Sequence, residues 1–222
     1  MSKFHIRTTA LPEDATFILE AFDSSLPHLA KTGSGEQWGS EPRSTQEVFV
    51  KRIQTEVEKA RSGMSENNVV FVAEVPSDEV VAESTRVRRD EVDQQMLKVA
   101  AAVVQGEFPS YVAERKNLEA CVRAAVERAD FLYLSVMISD FRSGGLRKGA
   151  GAVLAQRVKE YAREKGKATV YCDCWAGNGG KLVGFYESQG FVPVDGFEAK
   201  RDDIVWSGML LRMDIDRNDS DQ

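Results

Sequence analysis

The sequence predicts an α/β fold of the α+β kind, and three observations lead there. Residues Phe131 to Phe191 read without interruption as strand, glycine-rich turn, long amphipathic helix, strand and short helix. Two apolar runs, Val69–Val75 and Lys98–Gln105, read as a strand pair. Helical periodicity precedes and follows these strands, which excludes an all-β or all-α plan. At 222 residues, 42% hydrophobic and 29% charged, the chain has ample core for one domain, taken as 1–215 with a disordered tail at 216–222.

Each element follows from its residues. Phe4–Arg7 is a short first strand. Pro12-Glu13-Asp14-Ala15 opens a helix, because proline suits a first turn, and Phe17, Ile18, Ala21 and Phe22 share its apolar side. Residues 24–44 are rich in small side chains and read as a loop. Thr45 to Ala60 is helical, with Val48, Phe49, Ile53, Val57 and Ala60 on one face. The segment 76–96 between the paired strands is so polar that it reads as a long solvated hairpin loop. Residues 113–129 form an amphipathic helix carrying Leu118, Cys121, Val122, Ala125 and Val126.

Phe131–Ile138 is then a buried strand feeding Gly144-Gly145-Leu146-Arg147-Lys148-Gly149-Ala150-Gly151. Leu154, Val158, Tyr161 and Ala162 recur at helical spacing until Lys165-Gly166 stops the helix. Ala168–Cys174 is a strand, a short helix runs to Tyr186, and 206–213 is a final strand.

Composition excludes several classes. No apolar run is long enough to span a membrane, and Met1–Thr8 leads into polar sequence without the apolar stretch of a signal peptide. Three cysteines, Cys121, Cys172 and Cys174, are odd in number and read as reduced thiols, which suits a cytoplasmic protein. A net charge of −6 argues against nucleic acid and mildly favours cationic substrates. Cys-Asp-Cys without a second ligand cluster is not a zinc site.

A helix that opens from glycines presents unpaired N–H groups and its positive dipole end, a ready grip for a phosphate or pyrophosphate. Arg147 and Lys148 would strengthen it; the same glycines also occur in ordinary strand-to-helix turns. The P-loop spacing fits Gly144 and Gly149 but finds Ala150 where lysine is required. The dinucleotide fingerprint fits Gly149 and Gly151, with Asp173 at ribose distance, but places Leu154 on its third glycine.

Leu146-Arg147-Lys148-Gly149-Ala150-Gly151 resembles the Arg/Gln-x-x-Gly-x-Gly/Ala pattern of the GNAT superfamily of acyl-CoA-dependent N-acyltransferases, with leucine in the Arg/Gln position. Farther on, Asn178, the aromatic-Tyr pair Phe185-Tyr186 and Gly190-Phe191 resemble the family's second motif in order, at slightly wider spacing. Asp-Cys-Trp-Ala-Gly at 173–177 and Gln37-Trp38 resemble one subset. The resemblance implies a mixed central sheet of about six to seven strands with a splay between two central parallel strands. It also implies acetyl-CoA as cofactor, held by Arg147, Lys148, Gly149, Ala150, Gly151 and Ala152 at the helix start, by the main chain of Met137 and Ile138, and by Asn178 and Tyr186.

Acyl transfer from a thioester to an amine needs a neutral amine, a polarised carbonyl and a proton for the departing thiolate. On the family motif Tyr186 aligns with the general acid; the alternative is a buried aromatic beside Leu182 and Phe185. Asn178 is also placed as a helix N-cap. Glu107, just past Gln105, is the nearest match to a general base, with Asp140 and Glu36 as rivals that otherwise read as surface charges. Direct attack needs no cysteine. His28, Glu36, Gln37 and Trp38 lie in the loop expected to build the acceptor pocket, where Trp38 would hold an ammonium group or anchor the loop. The expected function is therefore acetyl-CoA-dependent acetylation of a small-molecule primary amine in a ternary complex. Acetylation of a peptide N-terminus or lysine, and a non-catalytic CoA-binding or interaction module, stay open; a homodimer is compatible with the sequence.

Overall fold

A computed structural model describes residues 3–63, 65–77, 85–201 and 204–216. In chain order the elements are β1 (His5–Arg7), α1 (Asp14–Lys31), α2 (Glu47–Ser62), β2 (Val69–Pro76), β3 (Val87–Arg89), β4 (Gln95–Gln105) and α3 (Ser110–Ala113). They continue with α4 (Glu119–Arg128), β5 (Phe131–Ser139), α5 (Ala150–Glu164), β6 (Thr169–Trp175), α6 (Gly177–Ser188), β7 (Val192–Arg201) and β8 (Ile204–Asp214). The strands hydrogen-bond in the order β1-β2-β4-β5-β6-β8-β7, with β3 also paired to β4. This is a mixed sheet flanked by helices, with one strand more than the sequence suggested.

The chain forms two compact units, residues 1–103 with 136–154, and residues 104–135 with 155–222. In the first, Phe17, Ile18, Ala21 and Phe22 of α1 and Ile53 and Val57 of α2 pack on Val70 and Val72 of β2, Ala101 and Val103 of β4, and Val136 and Ile138 of β5. In the second, Val122 and Ala125 of α4 join Phe108, Leu118, Tyr133, Tyr171, Trp175, Phe197, Trp206 and Leu210. Both cores follow the periodicities of their elements: helical spacing on α1 and α4, alternation on β5 and β6.

Parallel pairing of β5 with β6 runs from Phe131↔Thr169 to Leu134↔Cys172. Both strands continue beyond it, to Ser139 and Trp175. The exposure of β5 changes at the same point: Phe131 to Leu134 are all buried, whereas Ser135, Met137 and Ser139 are partly open and alternate with buried Val136 and Ile138. A strand that loses a neighbour leaves main-chain N–H and C=O groups for another partner.

Several sequence expectations need correction. The region 24–44 is not all loop, because α1 continues through Pro27 to Lys31. Proline removes one helical hydrogen bond, and the hydroxyls of Ser24 and Ser25 fold back onto the Ala21 and Phe22 carbonyls in the preceding turn. The segment 76–96 contains β3, whose register is Val87↔Leu97 and Arg89↔Gln95. Its turn is closed by Asp90 Oδ1, which accepts from Val92 N at 3.0 Å and Gln94 N at 2.8 Å. Residues 78–84 of that segment, and 217–222 of the expected tail, lie outside the described residues. The helix expected over 113–129 is two pieces, α3 and α4, separated by turns in which Arg115 N bonds Val112 O and Leu118 N bonds Arg115 O.

The first unit also buries charge. Asp14 and Lys98 are fully buried and pair at 2.8 Å, and Arg7 spans Asp14 and buried Glu74 at 2.8 and 2.9 Å. Arg88 of β3 reaches the same Glu74 at 2.6 Å. Nothing in the local sequence pattern marks these groups as neighbours.

Candidate active site

In the first unit the site is a strand end, a turn and a helix start. The main chain leaves β5 at Asp140, passes through a 3-10 turn over Phe141–Arg147, and enters α5 at Ala150. Asp140 was expected at the surface and is instead fully buried. Its N–H donates to Val99 O at 2.8 Å, and its carboxylate accepts from Arg142 N and Nε and from Arg86 Nε at 3.0, 2.8 and 2.9 Å. This occupies Asp140 as the anchor of the turn, not as a base. Glu20 of α1 fixes the same turn by accepting from Arg142 Nη1 and from Thr85 Oγ1.

Gly149 has φ +88°, a conformation that a side chain would strain, and its carbonyl accepts from Val153 N. The 15-residue α5 thus starts as the glycines predict, with N–H groups of its first turn lacking intrahelical acceptors. Arg147 stacks on Phe141, its guanidinium carbon 3.7 Å from the ring centroid. His28, on α1 rather than in a loop, meets the same ring at 4.7 Å. Phe141, which no sequence pattern singled out, therefore joins a residue expected at the acceptor to one expected at the cofactor. Lys148 is exposed, and Leu146 is 39% exposed.

Trp38 follows a 3-10 turn formed by Gly35–Gln37. Its ring meets Phe22 edge-on at 5.1 Å, and Arg43 lies 5.1 Å from it while bonding its carbonyl at 2.7 Å. The loop-anchoring role thus has direct contacts. Glu36 is exposed and Gln37 partly so.

In the second unit the site is the end of β6 and the start of α6. The indole of Trp175 covers Gly177 so closely that a Cβ there would stand 2.1 Å from the ring, which explains the glycine in Trp-Ala-Gly. Asn178, Gly179 and Gly180 all take left-handed conformations before the regular part of α6. Asn178 therefore belongs to this turn, ahead of the regular helix. Tyr186 is 7% exposed and packs edge-on against Phe185 and Phe191 at 5.3 and 5.5 Å. Burial pushes its hydroxyl well above the usual tyrosine range, and negative charge at Cys172, Cys174 or Asp173 pushes the same way. The group keeps its proton at neutral pH and can act as a donor.

Burial also raises both thiols, Cys174 to about 12 with help from Asp173. They are poor nucleophiles. Glu107 is exposed just past β4, and its carbonyl accepts from Gln105 Nε2. Sequence reasoning missed the surroundings of Asp173: Tyr111 donates to Asp173 Oδ1 at 2.9 Å, and the buried Tyr133 hydroxyl donates to the same oxygen. The period-2 alternation that puts Tyr171, Asp173 and Trp175 on one face of β6 was the only available signal.

No protein-family model matches the chain, and no curated protein is significantly similar in sequence. Solved structures do match. An N-acetyltransferase from Staphylococcus aureus superposes with TM-score 0.58 at 16% identity, over 97% of this chain and 100% of the other. A GNAT superfamily phosphinothricin acetyltransferase from Sinorhizobium meliloti, in complex with acetyl-CoA, gives 0.56 at 12% identity, over 96% and 89%. A ribosomal-protein-alanine N-acetyltransferase from Brucella melitensis gives 0.54 at 17% identity, over 95% and 99%. At these identities the likeness is one of architecture: the chain has the GNAT fold.

Proposed function

We propose that the chain is an acetyl-CoA-dependent N-acetyltransferase that transfers an acetyl group to the primary amine of a small molecule by direct attack in a ternary complex. The observation that carries this reading is the helix α5 opening from Gly149, one turn after a strand whose pairing with β6 stops halfway along. The residues fit a diphosphate. Gly149 has only Phe4 Cε2 near its missing side chain, at 3.7 Å, and Ala150, Gly151 and Ala152 leave the first-turn amides under small side chains. Arg147 and Lys148 add positive charge beside them.

Bound acetyl-CoA supplies the activated acetyl group. The main chain of Met137 and Ile138 would bond its extended arm as an added strand, an arrangement that needs the partly open edge at this end of β5. Asn178 would contact the arm. Tyr186 gives its proton to the departing thiolate. The raised pKa ensures that this proton is present, and it makes the transfer uphill from a phenol above 10 to a thiol near about 8.5. Glu107, exposed to solvent, takes the proton that the amine must lose, and His28, Glu36, Gln37 and Trp38 are placed on the acceptor side. Among the described residues no helix is long and apolar enough to cross a membrane, and the three cysteines are unpaired, in keeping with a cytoplasmic enzyme.

Purified protein with acetyl-CoA and a broad amine panel should release free thiol and yield acceptors heavier by one acetyl group. The Tyr186→Phe variant should lose about 100-fold or more in kcat. Unchanged turnover in that variant, or no cofactor binding by calorimetry, overturns the reading. The likeness to the Brucella enzyme favours a second acceptor class, a peptide N-terminus, and peptides in the same panel decide between the two.

A further inference from the structure

We infer that Asp173 is the anchor for the ammonium group of a cationic acceptor, an assignment that rests on the acetyltransferase reading and names the chemistry of its substrate. Position is the first argument. β5 and β6 last pair at Leu134↔Cys172, so Asp173 is the first β6 residue beyond their shared hydrogen bonds. By alternation its side chain shares a face with Tyr171 and Trp175, while Cys172 and Cys174 occupy the other.

The surroundings of the carboxylate are the second argument. Tyr111 of α3 and Tyr133 of β5 both donate to Oδ1, which holds the group in one orientation. Tyr133 is fully buried, and Trp175, Phe197 and Trp206 of the same cluster are 3–6% exposed, yet Asp173 itself is partly open to solvent. A carboxylate held in one orientation and partly open beside a buried aromatic cluster is a site for an organic cation, since it can accept hydrogen bonds from an ammonium group. The short helix α3 delivers the Tyr111 hydroxyl.

The test titrates the protein loaded with coenzyme A, which has no acetyl group to transfer, with phenethylammonium and with its neutral counterpart 2-phenylethanol, following tryptophan fluorescence and calorimetric heat. Phenethylammonium should bind at least about tenfold more tightly than the alcohol, the range expected for a hydrogen bond to a charged group. Asp173→Asn, nearly isosteric, should erase that preference with acetyl-CoA affinity unchanged, and Tyr111→Phe should weaken ammonium binding several-fold. Equal affinity for both probes in the natural protein, or a preference that survives in a folded Asp173→Asn variant, overturns the assignment. If Asp173→Asn does not fold, undiminished preference in Tyr111→Phe overturns it. The same titration without cofactor separates the two readings: ammonium preference with no acetyl-CoA binding sinks the acetyltransferase proposal and leaves the cation site standing.

Discussion

Replacing Asp14 with asparagine isolates the buried ionic cluster of the first unit. Asp14 Oδ1 accepts from Lys98 Nζ at 2.8 Å and Arg7 Nη2 at 2.8 Å, while Oδ2 accepts from Arg7 Nη1 at 2.9 Å and Leu11 N at 2.8 Å. An asparagine keeps one acceptor and turns an NH2 group toward cationic donors. Arg7, Lys98 and Arg88 would then face one buried carboxylate, Glu74, where the natural cluster has two. The nearest additional carboxylate to Lys98 is Glu13 at 3.8 Å, and it is 40% exposed.

Breaking a buried pair by removing one partner costs roughly 3–5 kcal/mol, most of it the stranded charge. For a chain of this size that is a fall in Tm of about 6–20 °C, read by calorimetry or by urea unfolding. Adding Lys98→Met should recover about 1–4 kcal/mol, because the stranded cation is gone and a methionine fills similar volume. A loss under about 1 kcal/mol, or a Lys98→Met substitution that deepens it, refutes the argument. Burial alone would raise the Asp14 pKa, but the hydrogen bond and charge of Arg7, with Lys98, outweigh it and hold the pKa below the usual value. A depressed folded pKa gives stability that is present above the unfolded value of about 4 and lost as pH falls through the folded one. The difference between Asp14→Asn and the natural protein should therefore shrink at acid pH.

Two further outcomes concern the site. Asp140→Asn removes charge from the anchor of the turn before α5, so the acetyl-CoA dissociation constant should rise about tenfold by calorimetry with the far-UV spectrum unchanged; an unaltered constant means the turn is held by Glu20 and packing alone. Because the Tyr186 pKa is raised and an acid works only while protonated, kcat should show no loss attributable to Tyr186 up to about pH 10. An alkaline limb near about pH 8 that disappears in Tyr186→Phe refutes the raised pKa, because it shows the Tyr186 hydroxyl losing its proton there.

The sequence by itself determined the elements that repeat a local rule. Helix α5 begins at its glycines and ends before Lys165-Gly166, β5 and β6 lie within a residue of their apolar runs, and Gly190-Phe191 leads into β7, because periodicity and turn chemistry are written in neighbouring residues. Local rules failed where distant partners decide. Ser24–Lys31 is helical despite Pro27, which removes only one helical hydrogen bond. Val87–Arg89 is a strand because its pairing with β4 sets Arg88 against Glu74. Asp14, Glu74 and Lys98 look like ordinary surface charges in one dimension and are buried together in three. The same holds at the site: the glycine turn into α5 was legible, whereas the burial of Asp140 and the meeting of Tyr111 and Tyr133 on Asp173 depend on strand register, which fixes side-chain neighbours only after residues far apart in the chain have paired.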